Sequence, residues 1–569
     1  MTTAVRRLTL ALALLALCVP LPATAQAVKG KLDPATPPPP LMYHGLIPGL
    51  HKTAEVKAAV GDPEFAARWY SYKMYYPAKD RPGFYDVIHM DGNSPDSRLA
   101  NIDAASVPDG YENASAIAAK FGEPQYELRM ATWRLLDYSE KGVRFAVTPD
   151  GKTIGVAYFP HTYRRVPAGE RSLVDLSQLR QGVQPAPAKP ADLQGLRVGV
   201  AERIVSPKEK DWLNHPFEVT TDLKARIAVF QANGLTVGFV GADLFGMGYA
   251  QLKVIRDAAK EMGIDHVICG LSHNHAAGDT TGFYGFYPEK YIAHIQAQAI
   301  DGLKEALAKL QPVAELKVAS KELPMDGIRV QHLFRNARNP GVLDPTIDLI
   351  QAIGKDGKTI VTMVHFACHV ESIQEGGKEI TADFPGYMCD QIQKDFGGQP
   401  LFLNGAVGGM VSGDNRARTD ESSKEMGLQL AAIVKDLAKT AQPPATFEFA
   451  AECRSLEIPV TNKDFLPAFE KLGRPNNRGR ALTDMTYIKL GEAQFISLPG
   501  ELLPEVSFEI LEHMDGFPRC LVGLGNDQMG YLIPPYDFRN DEYEESVSPG
   551  PSAAVQVRDM ALRLTGKRP

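Results

Sequence analysis

Residues 266–279 read HVICGLSHNHAAGD. The run climbs through Val267, Ile268 and Cys269, breaks at Gly270, and then delivers His273 and His275 one residue apart. Ala276, Ala277, Gly278 and Asp279 follow. A short apolar, β-branched run predicts a buried strand, and a histidine pair just past its end predicts chemistry at the strand terminus. In extended backbone successive side chains point to opposite faces, so a His-x-His pair puts both imidazoles on one face. That geometry suits a divalent metal. Two unrelated surface histidines would give the same pattern.

Around this stretch the chain alternates. ARIAVFQANG (225–234), LTVGFVGAD (235–243) and KTIVTMVHFACHV (358–370) read as strands. YAQLKVIRDAAKEMGI (249–264) and EKYIAHIQAQAIDGLKEALAKL (289–310) read as amphipathic helices. Strands and helices in this rhythm predict an α/β core with a largely buried sheet. Polar residues recur where strands end: His365 and His369 in VTMVHFACHVESI (361–373), Asp383 before a turn in EITADFPGY (379–387), and a glycine-rich loop in LFLNGAVGGMVSGDN (401–415). Glu501 follows a strand and a Pro-Gly turn, and Tyr531 follows another glycine-rich turn. Gathering groups at the ends of separate strands is how an open α/β sheet builds a site. Taken singly, His365 reads as a satisfied core histidine and Tyr531 as core.

The 569 residues exceed one ordinary core, so more than one domain is expected. Arg6 and Arg7 before the apolar run Leu8–Leu17, with a small-x-small site at Ala23–Ala25, predict a signal peptide over 1–25 and export to a periplasm or beyond. The run is too short to span a membrane, and no later segment reads as a span. A Pro-rich spacer (26–44) leads to a small α+β module (45–180), in which ENASAIAAKFGEP (112–124) predicts a helix and three short strands follow it. A Pro/Ala linker (181–195) then opens the α/β domain (196–569). No internal repeat is visible. A net charge of −7 gives no basic balance for nucleic acid. The five cysteines after the leader are too few for a disulfide framework.

The order of these motifs resembles the catalytic domain of the neutral (alkaline, non-lysosomal) ceramidases over about 195–569. RVGVAERIVSPK resembles that family's opening segment and GLSHNHAAGD its His-Thr-His-Ser-Gly motif. VHFACHVES resembles its strand ending in histidine, and ITADFPGY its Asp-Tyr-Pro-Gly. LFLNGAVGG, SLPGE, GYLIPP and the tail DEYEESVSPGPSAA complete the series. The resemblance implies a mixed-sheet zinc hydrolase preceded by the small α+β module, with one Zn²⁺ per chain held by His273, His369, Glu501 and Tyr531. It implies proton handling by His275, carboxylates at Asp243 and Asp383 that orient the ligand histidines, and carbonyl polarisation by Arg335, with Arg338 competing. The substrate would be ceramide or another lipid or acylated small molecule, reached through peripheral membrane contact.

Departures from the pattern cluster in one loop. Gly409 and Val411 stand where an acidic and a polar residue are expected, and Ser412 takes the polar role only with a one-residue shift. These changes predict a less polar pocket wall. They keep open a zinc hydrolase of another amide or ester, such as an acylated sugar or lipoamino acid, and a non-catalytic binding protein on the same fold. The extent of the resemblance leaves no room for the family's C-terminal immunoglobulin-like domain, and the amino-terminal module is expected in its place.

Overall fold

The computed structural model describes residues 37–68, 72–161, 172–178, 187, 189–283, 286–330, 332–373, 379–415, 417–463, 465–466, 479–539 and 542–566. The signal peptide, residues 26–36 of the Pro-rich spacer, and residues 181–186 and 188 of the linker lie outside the described residues.

An eight-stranded mixed sheet carries the α/β domain. Its spatial order is His266–Leu271, Leu235–Ala242, Lys224–Ala232, Arg197–Ile204, Gln311–Glu322, Thr346–Gly354, Thr359–Phe366 and Gln399–Asn404. The first pair and the last pair run parallel; the pairings between them are antiparallel. The strands read as unbroken apolar runs because both faces are covered. Ile227 and Val229 pack under helices Tyr249–Glu261 and Glu289–Ala308. Ala228, Phe230, Phe239 and Ile268 face a four-stranded sheet through Ile488, Phe495 and Val522. The helix–strand boundaries predicted over 225–310 hold within a few residues.

The segment after Asp383 differs from expectation. Instead of a turn, Asp383–Phe396 is a helix with Pro385 in its first turn, where a missing N–H costs nothing.

Ahead of this domain lies a nine-stranded sheet. Helix Thr53–Val60 precedes the antiparallel strands Phe65–Arg68, Tyr72–Pro77, Tyr85–Met90 and Leu99–Ala104. Helix Ala114–Phe121 precedes Tyr126–Arg129, Arg134–Tyr138, Val143–Val147 and Thr153–Tyr158, and Ser172–Asp175 adds the ninth strand, parallel to Tyr126–Arg129 at the edge. The two halves join where Ile102 pairs with Tyr158. A helix-then-meander arrangement thus occurs twice. The sequence showed only the second, and the reading of no repeat is corrected at the level of structure. The second helix is well signalled: the Asn113 side chain accepts from Ala116 N–H at 2.9 Å, and Gly122 ends it at φ 75°.

One face of this sheet packs on its two helices, through Met74, Ile88, Ile102, Phe145 and Val156 against Val56, Ile117 and Phe121. The other face meets the α/β domain. There Leu128, Trp133, Leu135 and Ala157 join the same apolar cluster as Ile328, Leu333, Phe366 and Phe384. Gly155 permits the approach: a Cβ there would lie 2.4 Å from Gly327 Cα. The Glu322 carboxylate also accepts from Ala131 N–H at 3.1 Å and Thr132 N–H at 2.9 Å. Among the described residues no cysteine is paired, and no helix is long and apolar enough to cross a membrane.

Candidate metal centre

His273 and His369 follow the ends of two strands, Glu501 and Tyr531 open two short ones, and one side chain fastens the first two ends together. Asn404, the last residue of its strand, donates through Nδ2 to Ser272 O at 2.7 Å and to Cys368 O at 2.8 Å. Its Oδ1 accepts from Cys368 N–H at 3.0 Å. The residues that follow Ser272 and Cys368 are His273 and His369. The backbone at His273 then turns through φ 62°, an unusual conformation for a non-glycine residue. Strain of this kind clusters at functional sites.

The imidazoles of His273 and His369 lie with ring centroids 4.6 Å apart. Glu501 closes the group: its Oε2 lies 3.2 Å from His273 Nε2 and 3.1 Å from His369 Nε2. Glu501 pairs in parallel register with Tyr531, which sets the two side chains on the same face of a short two-stranded ladder. Tyr531 is buried, with its hydroxyl 3.2 Å from Met410 Sδ. His275 Nε2 lies 3.3 Å from His273 Nε2, and the nitrogens of His273, His275 and His369 fall within 4.8 Å of one another. His273, His275, His369 and Glu501 therefore lie together, and Tyr531 is paired beside Glu501.

Two partners set which atoms are presented. His273 Nδ1 donates to Phe245 O at 2.9 Å, which leaves Nε2 with its lone pair aimed at Glu501. Gln528 Nε2 donates to Glu501 Oε1 at 2.9 Å, which leaves Oε2 as the free acceptor. Phe245 also stacks on His273, with centroids 4.9 Å apart and planes 24° from parallel. Burial depresses the basicity of His273, as do the neighbouring His369 and His275, although Glu501 opposes them. Burial would raise the Glu501 carboxyl, but His273 and His369 hold it well below the ordinary carboxylate range. Oε2 of Glu501 and both ring nitrogens of His369 are buried without a properly directed hydrogen bond. A carboxylate oxygen and two imidazole nitrogens this close, dry and under-bonded form a donor set that fits a cation.

Asp243 and Asp383 do not orient these rings. Asp243 is consumed by Arg226 Nη1 at 2.9 Å and Lys224 N–H at 3.0 Å. Asp383 accepts from Ser372 N–H at 2.8 Å and Ile373 N–H at 3.2 Å, and so braces the backbone just after His369. The job expected of side-chain carboxylates falls to a backbone carbonyl at Phe245. Arg338 is removed as a competitor of Arg335, because Asp537, Glu544 and Glu545 enclose its guanidinium.

The glycine-rich loop also corrects an expectation. Gly408 lets the backbone approach Glu501 O, which a Cβ would meet at 2.5 Å. Gly409 sits at φ 78°, with Asn336 Nδ2 3.2 Å from where a Cβ would be. Val411 is fully buried in the apolar core rather than in the pocket wall. The loop residue that reaches the centre is Met410, through Tyr531. Ser412 pairs backbone with His369 in a bridge and lies opposite Arg335 in antiparallel register. Its hydroxyl donates to Met410 O at 3.2 Å and lies near Glu371, a buried residue in the segment CHVES that carries no signal in the sequence. Burial would raise the Glu371 carboxyl, but Arg418, His275, His369 and the Ser412 hydroxyl hold it far below its ordinary range.

A second histidine cluster brings Asp348, His365 and Cys520 together. His365 Nδ1 pairs with Asp348 at 3.0 Å and Nε2 with Leu521 O at 3.1 Å, so neither nitrogen is left over. It is the satisfied core histidine that the sequence predicted.

Among solved structures, the chain is similar to the neutral ceramidase from Pseudomonas aeruginosa at 16% identity, with 66% of this chain and 76% of that one covered and a TM-score of 0.54. A ceramidase complexed with C2 gives 16% identity, the same coverage and a TM-score of 0.53. No family model and no curated protein sequence matches. The fold is ceramidase-like.

Proposed function

We propose that this protein is an exported zinc-dependent hydrolase that cleaves an acyl amide or ester bond of a lipid-like substrate, with the N-acyl bond of ceramide as the nominal case. The observation that carries this reading is Glu501 Oε2, buried 3.2 Å from His273 Nε2 and 3.1 Å from His369 Nε2, with Glu501 Oε2 and His369 Nε2 lacking a directed hydrogen bond. Two imidazole nitrogens, a carboxylate and the neighbouring Tyr531 phenol make a nitrogen–oxygen set that suits Zn²⁺. Zinc bound there supplies Lewis acidity towards an acyl carbonyl and towards water.

The remaining work belongs to the chain's own residues. Phe245 O fixes the tautomer of His273, and Gln528 fixes the rotamer of Glu501. His275 is only half-buried and stands at the rim of the centre. Its Nε2 is placed to take a proton from the attacking water and pass it to the leaving nitrogen or oxygen. Arg335 and Ser412 face each other across paired strands on the side where the acyl group would lie. Export rests on the amino-terminal apolar run, and peripheral membrane contact rests on the lipid-like substrate.

The test is metal analysis of the full-length protein, coupled to zinc-dependent hydrolysis of fluorogenic N-acyl and O-acyl lipids. Hydrolysis that chelation abolishes and zinc restores supports the reading. Stoichiometric zinc with no turnover of any acyl substrate would leave the binding-protein alternative in its place.

A further inference from the structure

The amino-terminal sheet turns a polar row towards the centre. Lys73, His89 and Asn101 are consecutive cross-strand partners in three adjacent strands and project from the face opposite the helices. All three are buried, Lys73 at 9% exposure and the others at 2%. Asn101 Nδ2 donates to Ala337 O at 3.3 Å, which lays the row against the strand carrying Arg335. Arg335, at 5% exposure, lies opposite Ser412, the residue bridged to His369.

Most charges in this region are matched. Arg329 pairs with Asp414 at 3.1 Å and Arg418 with Glu371 at 3.4 Å. His89, kept neutral by burial, lies 2.9 Å from Asp103, whose carboxylate Arg335 and Arg329 help to hold ionised. Two cations make no direct contact with these carboxylates: among the described residues neither Lys73 nor Arg335 forms a side-chain hydrogen bond or ion pair, and Arg335 Nε is wholly enclosed without one. Burial pushes the Lys73 ammonium well below its ordinary range, and Arg335 and Arg418 push it further, against Asp414 and Glu371. A buried cation without a directly bonded anion is destabilising unless something compensates it. Two of them side by side next to a candidate catalytic centre ask for an anion.

We propose that Lys73 and Arg335 form an oxyanion-binding subsite beside the His273–His369–Glu501 centre, so that the preferred substrate is an acyl compound bearing a negatively charged group. The amino-terminal sheet then completes the substrate pocket of the α/β domain. Arg335 grips a planar or tetrahedral oxyanion through its fork, and Lys73 adds a point charge. A carboxylate, as in an N-acyl amino acid, and a phosphate or sulfate share this chemistry. The inference rests on the hydrolase reading for the word substrate, but the subsite itself is tested by binding.

The experiment uses zinc-loaded full-length protein with an N-acyl amino acid and its uncharged carboxamide. The carboxylate form is expected to be preferred by about tenfold or more in kcat/KM. Lys73→Met should remove most of that preference through KM, while Lys73→Arg keeps it. In parallel, melting temperature is followed with the N-acyl amino acid, inorganic phosphate and inorganic sulfate. Stabilisation of the wild type that disappears in Lys73→Met supports the subsite even if no substrate turns over, a result that would fault the hydrolase reading alone. Stabilisation by phosphate or sulfate only assigns the anion to that class. Equal rates on the charged and uncharged pair, with no stabilisation by any of the three anions, overturns the proposal whether or not Lys73→Met folds.

Discussion

Two histidine clusters lie in the α/β domain, and they differ in what their nitrogens have left to do. At His365 both ring nitrogens are used, one by Asp348 and one by Leu521 O. At His273 one nitrogen is held by Phe245 O and the other faces Glu501; at His369 neither nitrogen has a well-directed hydrogen bond. Both clusters are buried and both contain a carboxylate. Composition alone does not separate them. Unspent lone pairs do, since buried polar groups in a settled core are normally paired.

The largest effect expected from this contrast is at the under-bonded cluster. His273→Ala or Glu501→Ala should abolish zinc binding and lower hydrolysis on the order of 10⁴-fold, read by metal analysis and initial rates. His275→Ala should keep the metal and lower kcat by about 10²–10⁴-fold. A His275→Ala protein that loses zinc would make this residue a ligand instead. His365→Ala should do the reverse: zinc and kcat unchanged, but stability lower by about 3–5 kcal/mol in denaturant melts, because Asp348 is left buried without its partner. Loss of zinc from that variant would erase the distinction between the clusters.

The pH response sharpens the same point at a third buried histidine. Burial, Arg335 and Lys73 lower His89 to about 4, although Asp103 opposes them. The unfolded chain takes up the proton near the ordinary value of about 6.5, so between those limits acid favours unfolding. The stabilisation is fully present above about pH 6.5, falls by about 3 kcal/mol as pH drops to about 4, and is flat for this group below that. His89→Gln should flatten the slope in that window, measured by denaturant melts across pH. The smallest effect is in the loop. Gly409→Asp should cost about 1–3 kcal/mol through its left-handed backbone, leaving zinc content unchanged. Enhanced ceramide turnover in that variant would restore the loop to the pocket wall.

Much of the domain was legible because its strands are buried on both faces and read as unbroken apolar runs. The candidate ligands were legible from their order at strand ends. Other features left no signal of that kind. Lys73, His89, Asn101 and Asp103 look like the solvent face of ordinary strands, so the first meander and its buried polar face escaped notice. The partner of His273 is a backbone carbonyl, which every residue carries and no side-chain letter announces. Asn404 was visible at the end of LFLN, but its use as a clamp depends on Ser272 and Cys368 lying beside it in space. Val411 was misplaced for a simple reason: a residue next to a glycine-rich loop can still point into the core.

The most direct measurement is the metal content and coordination of the purified full-length protein. The account predicts one zinc per chain, with donor atoms of His273, His369, Glu501 and Tyr531 at about 2.0–2.3 Å in a metal-bound structure. Absence of stoichiometric divalent metal, or a metal seated at Asp348, His365 and Cys520 instead, would contradict it.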